Sequence, residues 1–190
     1  MSEPDLITRA RRGDGAAWED LIRQHQDAAF RLAYLLLGNA DDAEDTAQEA
    51  FIRAFQTLNR FDPSRPLRPW LLRITANLAH NRRRTIGRYL AALQRLAQAA
   101  PEPLTTANVP GEHVQQQEEV QALWQAVRRL KRADQEVIYL RYFLELSVAE
   151  TAQALEVAPG TVKSRLSRAL DRLRGVVERE FPGLWKERGA

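Results

Sequence analysis

Residues 146–168 constrain the fold more than any other stretch, because they predict two short helices around a tight turn. Ser147 followed by Glu150 forms a capping box, so the first helix should begin near Val148. Pro159 suits the first turn of the next helix, where its missing N–H group is not needed. The segment therefore predicts a helical hairpin with a short turn.

This hairpin has one apolar side and one basic side. Helical spacing predicts that its apolar side chains are buried, namely Val148, Ala152, Leu155, Val162, Leu166, Ala169, Leu170 and Leu173. The opposite side of the second helix carries Lys163, Ser164, Ser167, Arg168 and Arg172. Lys and Arg bind guanine edges or phosphates and Ser binds either base type, so such a helix can enter a DNA major groove. A solvated basic face on an ordinary hairpin is the alternative interpretation.

The rest of the chain also has the apolar period of helices rather than strands. One stripe runs from Trp18 to Leu36, and Asn39 is suited to cap the next helix. That helix is predicted to bury Ala43, Ala47, Ala50, Phe51, Ala54 and Phe55. Another helix should run from about Pro69 to the arginine run that begins at Arg82.

Residues 99–111 contain three prolines and little to bury, which predicts a flexible linker. Helical periodicity resumes at Val120 and continues through Phe143 into the hairpin. We therefore predict an all-α fold with two small helical domains joined by a flexible linker. The predicted boundaries are 1–90 for the first domain, 91–114 for the linker, 115–182 for the second domain and 183–190 for a C-terminal tail.

The net charge is only +3, so the position of the charges matters more than their sum. An acidic cluster contains Asp41, Asp42, Glu44, Asp45 and Glu49. Two basic clusters follow, made of His80, Arg82, Arg83, Arg84 and Arg88, and of Arg128, Arg129, Lys131 and Arg132. This distribution favours simultaneous binding to nucleic acid and to a basic protein surface.

Several classes of protein are disfavoured by what the chain contains. There is no cysteine, and the three histidines, His25, His80 and His113, are scattered, so we expect no metal, no cofactor and no enzymatic activity. No apolar run is long enough to cross a bilayer, and the polar start of the chain has no secretory signal. We therefore expect a cytoplasmic protein that is not inserted in a membrane.

Three stretches together resemble bacterial RNA polymerase sigma factors of the extracytoplasmic-function (ECF) group, in the sigma-70 superfamily. Residues 43–51 resemble the family's helix that binds core polymerase. Residues 61–84, from Phe61-Asp62-Pro63 through Trp70 to the arginine run, resemble its promoter-melting segment. Residues 159–168 resemble its recognition helix. The resemblance implies two sigma domains, regions 2 and 4, and a transcription initiation factor.

The resemblance also implies partners. The residues expected to bind the beta-prime clamp helices of core polymerase are Asp41, Asp42, Asp45, Gln48 and Glu49. The beta flap, promoter DNA and an anti-sigma factor are the other expected partners. Stabilisation of their own helix dipole is the alternative role for Asp41, Asp42 and Asp45, but it does not explain Gln48 or Glu49.

By resemblance, the promoter-melting segment captures unpaired bases of the minus-ten element. The residues expected to bind these bases are Asn59, Arg60, Phe61, Arg73, Asn77 and Asn81. The residues expected to hold phosphates are Arg82, Arg83, Arg84 and Arg88. The alternatives are a loop anchor for Phe61, an internal hydrogen bond for Asn77 and a solvated helix end for the arginines. Trp70 is expected to pack in the core beside Ile74.

The recognition helix is expected to contact the minus-thirty-five element as duplex DNA. Its base-contacting residues would be Lys163, Ser164, Ser167 and Arg168, and its phosphate-contacting residues would be Thr161, Arg165 and Arg172. Glu145 and Glu156 stand where the family often has glycine, and a left-handed glutamate costs on the order of 1 kcal/mol. A stand-alone helix-turn-helix regulator and an RNA-binding antiterminator are the alternative functions.

Overall fold

The computed structural model describes residues 2–97 and 114–181, which contain α-helices, short 3-10 and π-helical turns, and no strand. This confirms the all-α prediction. The α-helices are α1 (Glu3–Arg11), α2 (Gly15–Leu37), α3 (Ala40–Thr57), α4 (Leu67–Ala97), α5 (Val114–Arg128), α6 (Arg132–Ile138), α7 (Val148–Leu155) and α8 (Pro159–Glu180).

The chain divides into two compact units, a first unit of residues 1–107 and a second unit of residues 108–190. The division falls inside the predicted linker. Helix α4 continues to Ala97, past the predicted start of that linker at residue 91. The remainder of the linker before Val114 and the predicted tail lie outside the described residues.

Helix α1 is an element that sequence reasoning missed. Ser2 and Asp5 form its capping box, and Leu6, Ile7 and Ala10 are buried. The helix has only nine residues, and three of them are buried apolar side chains, so its apolar period is weak.

Helices α2, α3 and α4 pack against one another and form the bundle of the first unit. The Asn39 side chain accepts a hydrogen bond from the Asp42 N–H group at 2.9 Å, which confirms the predicted cap of α3. Five of the six predicted core residues of α3 are buried, namely Ala43, Ala47, Ala50, Phe51 and Ala54. The prediction that Phe55 is buried was wrong. Its ring lies at the edge of the bundle, 5.2 Å from the Trp18 ring, and it is 49% exposed.

The second unit contains two breaks that the continuous apolar period did not predict. Between α5 and α6 the chain turns, and the Gln135 side chain donates to the carbonyls of Arg128 at 3.0 Å and Leu130 at 2.9 Å. After α6, residues Tyr139–Phe143 form a π-helical turn. The rings of Tyr139 and Phe143 pack beside Trp124.

The predicted hairpin is present. Ser147 and Glu150 bond each other's backbone N–H groups at 2.8 and 3.1 Å, and Pro159 begins α8. The two glutamates at the glycine positions both have left-handed backbone conformations, with φ of 55° at Glu145 and 52° at Glu156. Buried Ala152 of α7 and buried Val162 and Ala169 of α8 belong to the core of the second unit. The predicted basic side of α8 therefore faces away from that core.

Candidate polymerase and nucleic-acid interfaces

The acidic surface of the first unit is one side of α3. Asp41, Asp45 and Gln48 are exposed there, while Asp42 and Glu49 are half-buried. Glu49 also binds Arg53, with the Arg53 Nη2 atom 2.6 Å from the Glu49 carboxylate. Helical geometry thus brings the five predicted polymerase-binding side chains onto adjoining parts of one surface.

Arg82 joins this acidic surface to α4. Its Nη2 atom lies 2.7 Å from Oδ1 of Asp42 and 2.9 Å from Oδ2 of Asp45. These carboxylates, Asp45 first, raise the pKa of Arg82 above its ordinary value. The sequence analysis assigned Arg82 to the DNA phosphates and both aspartates to polymerase. It therefore treated the basic and acidic surfaces as separate, whereas an ion pair connects them.

The loop between α3 and α4 presents two of the predicted base-binding residues. A 3-10 turn, Leu58–Arg60, begins it, and the side chains of Asn59 and Arg60 are exposed. Phe61, in contrast, is only 7% exposed, and its ring centroid lies 4.8 Å from that of Trp70. Burial of this ring corresponds to the loop-anchor role rather than to a base contact.

An internal turn orders the second half of this loop. The Asp62 carboxylate accepts hydrogen bonds from the Ser64 N–H group at 3.0 Å and the Ser64 hydroxyl at 2.7 Å. These hydrogen bonds lower the pKa of Asp62 below its ordinary value. The loop keeps a defined backbone because its own carboxylate caps the turn.

The exposed residues of α4 include Asn77, Asn81, Arg83, Arg84 and Arg88. Arg84 donates to Oδ1 of Asn81 at 3.0 Å, whereas the Asn77 side chain makes no hydrogen bond within the described ranges 2–97 and 114–181. The internal hydrogen bond that was the alternative for Asn77 is therefore absent from this part of the chain. Of the other predicted residues, Arg73 is half-buried.

His80 does not belong to this basic surface, contrary to its assignment from the sequence. Its side chain is 9% exposed, since it points to the buried side of α4. The sequence places it two residues before Arg82, but that spacing turns the two side chains to different sides of the helix.

Helix α8, the predicted recognition helix, exposes Lys163, Ser164, Ser167 and Arg168, as its period predicted. Arg168 folds back on its own helix, with Nε donating to the Ser164 carbonyl at 3.1 Å. Thr161 and Arg165 are half-buried at the edge of this surface.

Arg172 has a partner that the sequence did not suggest. Its Nη1 atom donates to both carboxylate oxygens of Asp134, at 2.9 and 2.7 Å. Asp134 lies on α6 and is 3% exposed, so the ion pair fastens α8 to α6. Glu136 on the same helix is also shielded, and burial raises its pKa above the ordinary value despite nearby Arg132 and Arg165.

The described residues contain neither a metal-binding cluster nor a membrane-spanning helix. No group of three or more His, Cys, Asp or Glu side chains is placed to hold a metal ion in ranges 2–97 and 114–181. Within those same ranges, no helix is both long enough and apolar enough to span a membrane.

Comparison with known proteins gives matches over both units. The family model described as Sigma-70 region 2 matches residues 21–89, and that described as Sigma-70, region 4 matches residues 120–173. The chain is 34% identical over 177 residues to the ECF RNA polymerase sigma factor SigW of Bacillus subtilis, covering 88% of this chain and 92% of that protein. It is 31% identical over 186 residues to the RNA polymerase sigma factor NccH of Alcaligenes xylosoxydans xylosoxydans, covering 94% and 98%.

A solved structure gives a similar result. CnrH, determined in complex with the cytosolic domain of CnrY, matches with a TM-score of 0.68 and 25% sequence identity. The match covers 94% of this chain and 98% of that chain.

Two helical units, one of which ends in a helix-turn-helix with a basic exposed face, define the architecture of a sigma factor, and the chain belongs to the sigma-70 family. Within that family it is an ECF sigma factor, a transcription initiation factor that directs RNA polymerase to promoters. A stand-alone regulator or an antiterminator is not favoured, because both units match sigma domains in the family's order.

Proposed function

We propose that the first unit docks on the beta-prime clamp helices of core polymerase and captures the unpaired minus-ten strand. In the same proposal the second unit binds the minus-thirty-five element as duplex and contacts the beta flap. The protein acts in the cytoplasm, as a factor that catalyses no reaction of its own. The observation that carries the proposal is the placement of an exposed acidic surface and an exposed polar and basic surface in one helical bundle.

The polymerase contact is assigned to the acidic side of α3. Asp41, Asp45 and Gln48 are exposed, and Asp42 and Glu49 border them. Carboxylates suit arginine partners because charge-assisted hydrogen bonds are directional and strong. Helix-dipole stabilisation accounts for Asp41 and Asp42 at the first turn, but Gln48 and Glu49 lie too deep in the helix for it.

The minus-ten contact is assigned to the loop and α4. Asn59, Arg60, Asn77 and Asn81 are exposed and carry the hydrogen-bonding groups that read the edges of an unpaired base. Arg73 borders them and belongs to the same set. The phosphate-binding residues of the proposal are Arg82, Arg83, Arg84 and Arg88. Phe61 is buried, so in this proposal it anchors the loop and does not contact a base.

The minus-thirty-five contact is assigned to α8. Lys163, Ser164, Ser167 and Arg168 project from the exposed side of this helix, where they can reach base edges in a major groove. Thr161, Arg165 and Arg172 are assigned to phosphates. The Arg172 side chain is 47% exposed. In this proposal its guanidinium therefore binds a phosphate while Asp134 holds its orientation.

An anti-sigma protein is a further partner in this proposal. Two structural neighbours were solved with a protein partner: CnrH with the cytosolic domain of CnrY, and the sigma factor RpoE of Bartonella quintana with the anti-sigma factor NepR. The first of these matches nearly the whole chain. The proposal extends the same kind of partner to this protein.

Run-off transcription with purified core polymerase on fragments of the source genome tests the proposal. The protein should confer initiation at defined start sites, and a core enzyme without it should not. Absence of start-site selectivity, in a preparation without any inhibitor, would contradict the proposal. Retained selectivity after charge reversal of both Asp41 and Asp45 would contradict the assignment of α3.

A further inference from the structure

Helix α1 contacts both ends of the loop that carries Asn59 and Arg60, although it is remote from that loop in sequence. At the start of the loop, Arg11 donates from Nε to the Leu58 carbonyl at 3.0 Å and from Nη2 to the Phe61 carbonyl. At the end, Oε1 of Glu3 accepts from the Leu67 N–H group at 2.9 Å. The same short helix therefore holds residues 58 to 67 at two points.

Two of these contacts reach backbone groups with no other hydrogen-bond partner among residues 2–97 and 114–181, the Phe61 carbonyl and the Leu67 N–H group, whereas the Leu58 carbonyl also accepts from the Phe61 N–H group at 3.1 Å. Leu58 is the C-cap of α3, and a cation bound to its carbonyl matches the direction of the helix dipole. Leu67 begins α4, whose first N–H groups have no partner within the helix, so the Glu3 carboxylate caps it from outside. The guanidinium is a rigid fork, which suits it to hold two carbonyls in a fixed relation.

Glu3 is itself fixed by a buried partner. Its Oε2 atom lies 2.9 Å from Nε2 of His25, which is on α2 and 7% exposed. The hydrogen bond from His25 is the main cause of the lowered pKa of Glu3. Helix α1 is also held to α2 by the buried Leu6, Ile7 and Leu21, so Arg11 and Glu3 extend from a packed support.

We propose that α1 is a positioning element for promoter melting: Arg11 and Glu3 fix the loop so that Asn59 and Arg60 meet unpaired bases in one geometry. This inference rests on the proposed function of the loop. Arg11 and Glu3 touch no base, and they act on base selection only through the backbone of residues 58–67.

The test uses holoenzyme made from core polymerase and the full chain. The probe is a labelled single-stranded oligonucleotide with the non-template strand of the minus-ten region, taken from a promoter found by run-off transcription. A second set of oligonucleotides carries single-base changes in that region. The measured quantity is the ratio of affinities for the cognate and the changed sequences.

Arg11→Ala should weaken binding of the cognate oligonucleotide by about tenfold and lower the affinity ratio, because bases are then read by a loop with several geometries. Glu3→Ala should change the ratio in the same direction. Arg12→Ala is the matched control, since Arg12 is the exposed neighbour and its side chain makes no hydrogen bond or ion pair within ranges 2–97 and 114–181. It should behave as the wild type.

The affinity ratio separates positioning from a loss of folded protein. Partial unfolding reduces the active fraction equally for every oligonucleotide and leaves the ratio unchanged. An unchanged ratio in Arg11→Ala therefore overturns the inference. If Arg11→Ala does not fold, Arg11→Lys replaces it, because lysine keeps the charge but lacks the forked guanidinium. A lowered affinity ratio in Arg11→Lys then supports the inference, and an unchanged ratio overturns it.

Failure of the two proposals is distinguishable. If the wild-type holoenzyme does not discriminate between the oligonucleotides, the proposed function of the loop fails. If the wild type discriminates and Arg11→Ala does so equally, only the role of α1 fails.

Discussion

The candidate surfaces of the two units are built in different ways. In the first unit they are assembled by contacts between distant parts of the chain, such as Arg82 with Asp42 and Asp45. In the second unit the residues proposed to read bases, Lys163 to Arg168, lie on one continuous helix. A surface formed by one helix can be read from sequence periodicity, whereas an assembled surface depends on packing. Perturbations should therefore spread further in the first unit.

Charge reversal at Asp45 tests the assembled surface most strongly. Asp45→Arg should weaken binding to core polymerase by about 2–5 kcal/mol, because in the proposed contact it places a cation where a carboxylate faces arginines, and because it also repels Arg82. Titration of labelled core polymerase measures this change. Asp27→Arg, on an exposed part of α2, is the matched control. Equal binding of wild type and Asp45→Arg would show that α3 is not the polymerase contact.

Arg172→Ala tests whether the second unit also depends on a long-range contact. The free energy of unfolding should fall by about 2–3 kcal/mol, since Asp134 would be left buried without its cation, although the half-exposed position of Arg172 reduces the penalty. Amide hydrogen exchange along α8 in the full chain measures the effect. Arg174→Ala, at an exposed position of the same helix, should change stability little. Equal amide protection along α8 in both variants would show that the Arg172–Asp134 contact does not stabilise the second unit.

Arg168→Ala tests the claim that α8 works as a single-helix reader. Affinity for a cognate minus-thirty-five duplex should fall by about 1–3 kcal/mol if Arg168 makes a bidentate base contact. Equilibrium binding to cognate and random duplexes gives the measurement. The loss should be smaller on random DNA, and an equal loss on both would identify Arg168 as a phosphate contact instead.

The pH dependence of stability is the smallest expected effect, and it should have opposite directions in the two units. The pKa of Glu3 in the first unit is lowered from 4.5, so its contribution is present above the unfolded pKa and is lost as pH falls through the folded pKa. The pKa of Glu136 in the second unit is raised from 4.5, so its contribution is present below the unfolded pKa and is lost as pH rises through the folded pKa.

Substitution by glutamine exposes the two signs. Carboxyl groups titrate between about pH 3 and pH 6. Over this range, Glu3→Gln should reduce the stability that the first unit loses as the pH falls. Glu136→Gln should instead remove the stability that the second unit gains as the pH falls and Glu136 becomes protonated. Amide exchange in α1 and α8 at several pH values reports on each unit separately. The same direction in both variants would contradict the assigned causes.

Local chemistry explains why much of the fold was predictable. The caps at Asn39 and Ser147, the first residue of α8 and the exposed side of α8 depend on residues within a few positions of one another. The left-handed conformations at Glu145 and Glu156 correspond instead to the family resemblance, since these residues stand where the family often has glycine. Family resemblance added the partners, which no periodicity contains.

Misassignments occurred where a side chain's surroundings come from remote residues. Phe55 has an apolar side chain at a helical spacing, but the bundle ends beside it and leaves it exposed. His80 belongs to a basic run in the sequence, but packing buries it. The period of α1 was too weak to detect, and its role at residues 58–67 depends on contacts with the far end of a loop.

By itself, the sequence determined the helical class, the hairpin with its caps and the basic exposed side of α8, because hydrogen bonding and apolar period act over a few residues. Tertiary structure alone decided that Arg82 bridges to α3, that Arg172 pairs with buried Asp134 and that α1 contacts both ends of a distant loop. Those pairings join residues tens of positions apart, and their energies depend on burial and distance that only the packed chain creates.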